Sequence, residues 1–193
     1  MMSSSPKLER YGGLSIALHW LMLLLIAAVY ACIELREFYP KGSDIREGMK
    51  AWHFMLGLTV LALVIVRVIA RVTGWTPRIT SESKAWQNVL ARSMHLALYL
   101  FMVCMPIAGW LVLSASGEPI PFFGLTLPPL MGENRDVAHQ IKELHEAVGS
   151  VGYYLIGLHA FAALVHHYVM KDDTLRRMLP WCPGRDSNSR PAV

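Results

Sequence analysis

Four apolar stretches, roughly residues 14–35, 52–72, 93–113 and 148–169, constrain this chain more than any other feature. A helix needs about 20 apolar residues to cross the hydrocarbon core of a bilayer. These runs meet that length and use nearly half of the 193 residues, so no large soluble domain remains. In lipid only helices and closed barrels satisfy their own backbone groups, and the chain has no strand alternation. The expected fold class is therefore an all-α membrane protein, a four-helix transmembrane bundle. Residues 1–180 make one domain, and residues 181–193 read as a disordered cytoplasmic tail.

Charge reports topology rather than a polyanionic partner. The net charge is +4, and nothing in its distribution suggests nucleic acid. With the N-terminus inside, the inner segments hold twelve basic residues against five acids, and the outer segments six against nine. The positive-inside rule then places both termini in the cytoplasm. Lys7 and Arg10 before the first run resemble a signal-peptide n-region, but that apolar run is too long for a usual h-region, so it reads as a retained span. The three cysteines form no C-x-x-C-H motif and no disulfide framework.

Histidines supply the chemistry. His145 and His159 are 14 residues apart, the first at the outer edge of the last apolar segment and the second inside it. At about 100° per residue, 14 steps return to within roughly 40° of the start, so both rings leave one helix face, roughly 21 Å apart along the axis. Depth then pairs them with histidines on other helices. His53 and His145 lie at the outer edge; His19 and His159 lie in the inner half. Paired imidazoles at two depths suit axial ligation of haem iron, which needs two opposed neutral rings. Structural zinc wants four clustered N/S ligands, and a proton relay wants intramembrane carboxylates, which the middles of these spans lack. Small residues beside the last pair, Gly149, Gly152, Gly157 and Ala160, leave room for a flat macrocycle, though they equally serve tight helix packing. His95 sits at inner depth and is the rival inner ligand; His139 reads as a loop residue in a short amphipathic lead-in to the last span. Arg67 and Arg71 share one face at the inner end of the second span, either snorkelling to head groups or pairing with an anionic cofactor group.

Several stretches resemble the bacterial cytochrome b561 family, specifically its short members described as superoxide oxidases. They are Leu18-His-Trp-Leu21, Trp52-His53 with Val66-Arg67 and Arg71, Phe123-Gly-Leu-Thr126, and above all Gly149–Met178. The resemblance covers about Tyr11 to Pro180. It implies two b haems, with family ligands falling on His19, His53, His145 and His159. It also implies an inner-membrane protein that passes electrons from periplasmic superoxide to ubiquinone.

Other residues then acquire expected roles. His166 follows His159 by seven residues, on the same face and roughly 10 Å nearer the cytoplasm. It is a candidate donor to a quinone carbonyl, with Ser15 and Arg10 lining the same site. Lys50 and Lys142 each precede an outer histidine by three residues, so each shares a face with it. They are candidates for guiding superoxide or for holding haem propionates, with Glu47, Glu143 and Glu146 as alternative partners. Two functions stay open: a superoxide:quinone oxidoreductase, or a cytochrome relaying electrons between the quinone pool and a protein partner. A histidine-lined metal transporter fails to explain the paired depths.

Overall fold

The computed structural model describes residues 11–73 and 85–180. Arg10 and the expected tail at 181–193 lie outside the described residues. Four long helices dominate: α1 (Gly13–Leu35), α2 (Asp44–Thr73), α3 (Ala85–Ser116) and α4 (Arg135–Tyr168). Each is long and apolar enough to cross a membrane. The chain is thus an all-α membrane bundle. Consecutive helices pack on one another in order, α1 on α2, α2 on α3 and α3 on α4.

Each helix contains its apolar run, and three extend well beyond it. α2 starts at Asp44 and α4 at Arg135, in polar sequence that hydropathy does not mark as spanning. Local chemistry explains the start of α4. The Asn134 side chain accepts from the Val137 N–H at 3.2 Å, and Asp136 sits in the first turn, where the helix dipole favours an acid. The expected lead-in is therefore continuous with the span, and His139 is a helical residue, not a loop residue.

The outer loop between α3 and α4 holds a small β-hairpin, β1 (Ile120–Phe122) and β2 (Leu125–Leu127), which the sequence reading missed. Its turn places Phe123 at φ 47° and Gly124 at φ 86°, the left-handed pair that a two-residue hairpin turn requires. Apolar contacts hold it. Ile120 is buried with Leu58 and Leu113, and Phe54, Trp110, Phe122 and Leu127 pack around them. Trp110 Nε1–H donates to the Pro128 carbonyl at 3.1 Å, and the Leu130 N–H donates to Ser114 Oγ at 3.0 Å. Gly117 ends α3 at φ 71°, where a Cβ would also strike the Glu133 side chain.

Inside the bundle, Met22, Val60 and Val64 form the tightest core, with Tyr99, Met102 and Val103 of α3 against it. Many of the other large apolar side chains face outward, as lipid-facing helices require. Gly152 belongs to packing rather than to a cofactor slot. A Cβ there would overlap the Tyr30 hydroxyl and the Phe101 ring. Gly152→Ala is therefore expected to destabilise the bundle by about 1–3 kcal/mol, the usual cost of overpacking. A thermal melt in detergent checks this; an unchanged melting temperature would contradict it. Gly157, by contrast, has open space around its Cβ position.

Candidate cofactor site with histidine pairs at two depths

At the outer level, α2 and α4 bring His53 and His145 together, ring centroids 6.3 Å apart. His53 Nδ1–H donates to the Val29 carbonyl of α1 at 3.0 Å. That bond fixes the tautomer and leaves Nε2 as the free lone pair, the arrangement metal-bound histidines use. His145 Nδ1 is buried with no hydrogen-bond partner, although the Met105 carbonyl lies toward it. Gly109 of α3 faces the ring: a Cβ there would stand in ordinary contact, 3.5 Å from His145 Cε1. One turn beyond His145, the Tyr30 hydroxyl donates to the Gly149 carbonyl at 2.7 Å and ties α1 to α4. Tyr30 in turn packs on Tyr153, whose hydroxyl donates to Glu34 at 2.6 Å.

At the inner level three histidines meet instead of two. His159 stands 6.2 Å from His19 of α1 and 5.7 Å from His95 of α3. His95 Nδ1–H donates to the Ala91 carbonyl of its own helix at 2.7 Å. His19 Nδ1 accepts from Arg67 at 3.1 Å, and Arg67 also reaches the Ser15 carbonyl at 3.4 Å. Arg67 thus sits among the inner rings, with no acidic partner in the described ion pairs. A guanidinium held there needs an anion, and a cofactor carboxylate would supply one.

These distances fit a metal held between facing rings. A nitrogen about 2 Å from a metal puts its ring centre about 3.2 Å away, so two opposed imidazoles stand about 6.3 Å apart. Both the outer pair and the His19–His159 pair match. Among the described residues no three His, Cys, Asp or Glu side chains gather closely enough to hold a metal ion by themselves. Two axial ligands with a macrocycle completing the coordination suit this donor set better than structural zinc.

The remaining expected residues fall at the two rims. Lys50 pairs with Glu47 at 3.4 Å, and Lys142 with Glu146 at 3.8 Å. Such exposed pairs are worth about 0–1 kcal/mol and leave the lysines free to move. Glu37, counted in the acidic outer balance, is clamped by Arg46 at 2.9 Å and lies 3.1 Å from Arg36. Both arginines are already among the six basic residues of the outer segments, so the clamp neutralises Glu37 locally and leaves the outer balance unchanged. On the inner side, His166 Nδ1–H donates to Asp172 Oδ2 at 2.5 Å, a contact that the sequence reading missed. Partial burial pushes the Asp172 carboxyl up, but hydrogen bonds from His166 and Thr174 outweigh it and hold the carboxyl below its ordinary range. Ser15 lies four residues before His19, half-buried on α1. His139 is exposed near the start of α4, 3.7 Å from Glu143, far along the chain from the inner rings.

Comparison with known proteins identifies the family. The family model described as prokaryotic cytochrome b561 matches residues 10–181. Cytochrome b561 homolog 1 of Escherichia coli (strain K12) is 38% identical over 173 residues, covering 90% of this chain and 98% of that protein. A Yersinia pestis protein named probable superoxide oxidase CybB is 38% identical over 172 residues, covering 89% and 97%. Cytochrome b561 homolog 2 of Escherichia coli (strain K12) is 31% identical over 186 residues, covering 92% and 95%. Membership carries with it haem b, membrane residence and electron transfer, which is what paired imidazoles between membrane helices are suited to. On the match along almost its whole length, this chain belongs to the prokaryotic cytochrome b561 family.

Proposed function

We propose that this chain is a di-haem cytochrome of the bacterial inner membrane, with both termini cytoplasmic, that oxidises periplasmic superoxide and reduces ubiquinone. The observation that carries it is the placing of two imidazole pairs, at 6.3 Å and 6.2 Å, on histidines 14 residues apart along one helix. Haem b, when bound, supplies one-electron chemistry at each level. His53 and His145 hold the outer group, and His19 and His159 the inner one. Arg67 balances the charge of the inner propionates. His166 and Ser15 line the quinone site at the cytoplasmic edge. The name of the Yersinia pestis relative supports superoxide as donor. The charge bias of the loops supports the orientation. Two superoxide anions give up one electron each and leave as oxygen; ubiquinone takes two electrons and two protons.

Superoxide is an anion, so Lys50 and Lys142 beside the outer pair raise its local concentration once their glutamates swing away. Charges beyond about 8 Å are largely screened at physiological salt, so the steering depends on these two lysines and on the glutamates one turn away that pair with them. The test uses the purified haem-loaded protein alone, with superoxide generated enzymatically and ubiquinol measured. One ubiquinol per two superoxides is expected. Ubiquinol no higher than in a protein-free control would overturn the reading and favour a relay that needs a protein donor. Lys50→Gln and Lys142→Gln should slow reduction by superoxide at low salt and converge on wild type at high salt. Equal rates at low salt would remove the steering role.

A further inference from the structure

The segment after α4 turns back under the inner end of the bundle. Lys171 adopts φ 54° at the turn. The Asp172 N–H then donates to the His166 carbonyl at 3.1 Å, and Asp172 Oδ1 accepts from the Thr174 N–H at 2.9 Å. Its other oxygen takes the His166 Nδ1–H at 2.5 Å. The neighbouring Asp173 pairs with Arg176 instead, at 3.6 Å. Farther on, Trp20 Nε1–H donates to the Met178 carbonyl at 2.8 Å, which fastens this segment to α1 one residue past His19. His166, seven residues after His159, lies on the same face of α4 and roughly 10 Å nearer its C-terminal end, with Asp172 bonded to it from the turn beyond. The dyad is neither sealed nor free: the His166 side chain is 35% exposed and that of Asp172 21%.

We propose that Asp172 and His166 form a proton relay that feeds cytoplasmic protons to the reduced quinone, with Asp172 as its positioning residue. The proposal rests on the reading of ubiquinone as acceptor. Oxidation of superoxide releases electrons and oxygen but no proton, so both protons of ubiquinol must arrive separately. Asp172 holds Nδ1–H, which leaves His166 Nε2 to face the substrate. When the ring is protonated, the carboxylate balances its charge, as the orienting acid does for a catalytic histidine. The proton on Nε2 passes to a quinone oxygen, and the neutral ring regains one from water at the exposed edge. Two such transfers accompany two electrons, and the product is ubiquinol.

A purely structural role is the rival, because Asp172 also caps the turn. Asp172→Asn separates the two, since an amide oxygen still accepts from Thr174 but carries no charge. The holo protein is reduced with superoxide and then mixed with ubiquinone-1 or with ferricyanide, an acceptor that takes electrons and no proton. In Asp172→Asn, reduction by superoxide and reoxidation by ferricyanide should match wild type. Reoxidation by ubiquinone-1 should slow by about tenfold or more, within the range for loss of assisted proton transfer. Added formate should restore part of the rate, and Asp172→Glu should retain most of it. Reoxidation by ubiquinone-1 within about twofold of wild type, or equal slowing with both acceptors, overturns the relay. Wild-type protein that reduces ferricyanide but not ubiquinone-1 would instead overturn the quinone reading, and the relay with it.

Discussion

Replacing His53 or His145 by alanine is expected to lower haem content from about two groups per chain to about one, leaving the inner group in place. The two rings stand 6.3 Å apart on different helices, so each is half of a clamp that the other cannot complete. His53 is further fixed by the Val29 carbonyl, which no other ring at that level can use. His139→Ala is the matched control, because that ring is exposed and meets only Glu143. Haem per polypeptide, measured as the pyridine haemochrome, checks the prediction. Two haems retained in either outer variant would mean that the outer pair does not ligate.

Much of this architecture was legible because membranes simplify the code. Apolar length alone separates spanning helices, and a 14-residue spacing puts two rings on one face whatever surrounds them. Pairing by depth then brought together His53 with His145 and His19 with His159. Depth says nothing, however, about which way a third helix is rotated. That is why His95 could be ranked only as a rival, although it stands 5.7 Å from His159. The lead-in was read as separate from the span, and His139 as a loop residue, because hydropathy measures lipid contact, not helicity. The hairpin was missed because each strand is only three residues long and its turn depends on a left-handed Phe123. The Arg46 clamp on Glu37 and the His166–Asp172 contact were missed for another reason. They join residues whose closeness depends on how the chain turns back at a helix end. The glutamate partners of Lys50 and Lys142 were readable, because spacings of three and four residues fix them on one helix.

His159→Ala is expected to remove the inner haem completely, with the outer group retained, because His159 is the ring that faces both His19 and His95. The choice between those two partners sets the second half of the prediction. Separation favours His19, which stands 6.2 Å from His159, close to the outer pair's 6.3 Å, against 5.7 Å for His95. Tautomer argues the other way. His95 gives its Nδ1–H to Ala91 and keeps Nε2 free, while His19 accepts at Nδ1 from Arg67. Arg67 resolves the conflict. A guanidinium pairs far better with a carboxylate than with a neutral ring nitrogen, so a cofactor carboxylate would compete for Arg67, and His19, released from it, would be able to hold the group through Nε2. His19→Ala should therefore cost the inner haem as His159→Ala does, and His95→Ala should keep both groups with at most a shifted inner potential. The opposite pattern, haem lost in His95→Ala and kept in His19→Ala, would reassign the inner ligand to α3 and leave His19 as the partner of Arg67.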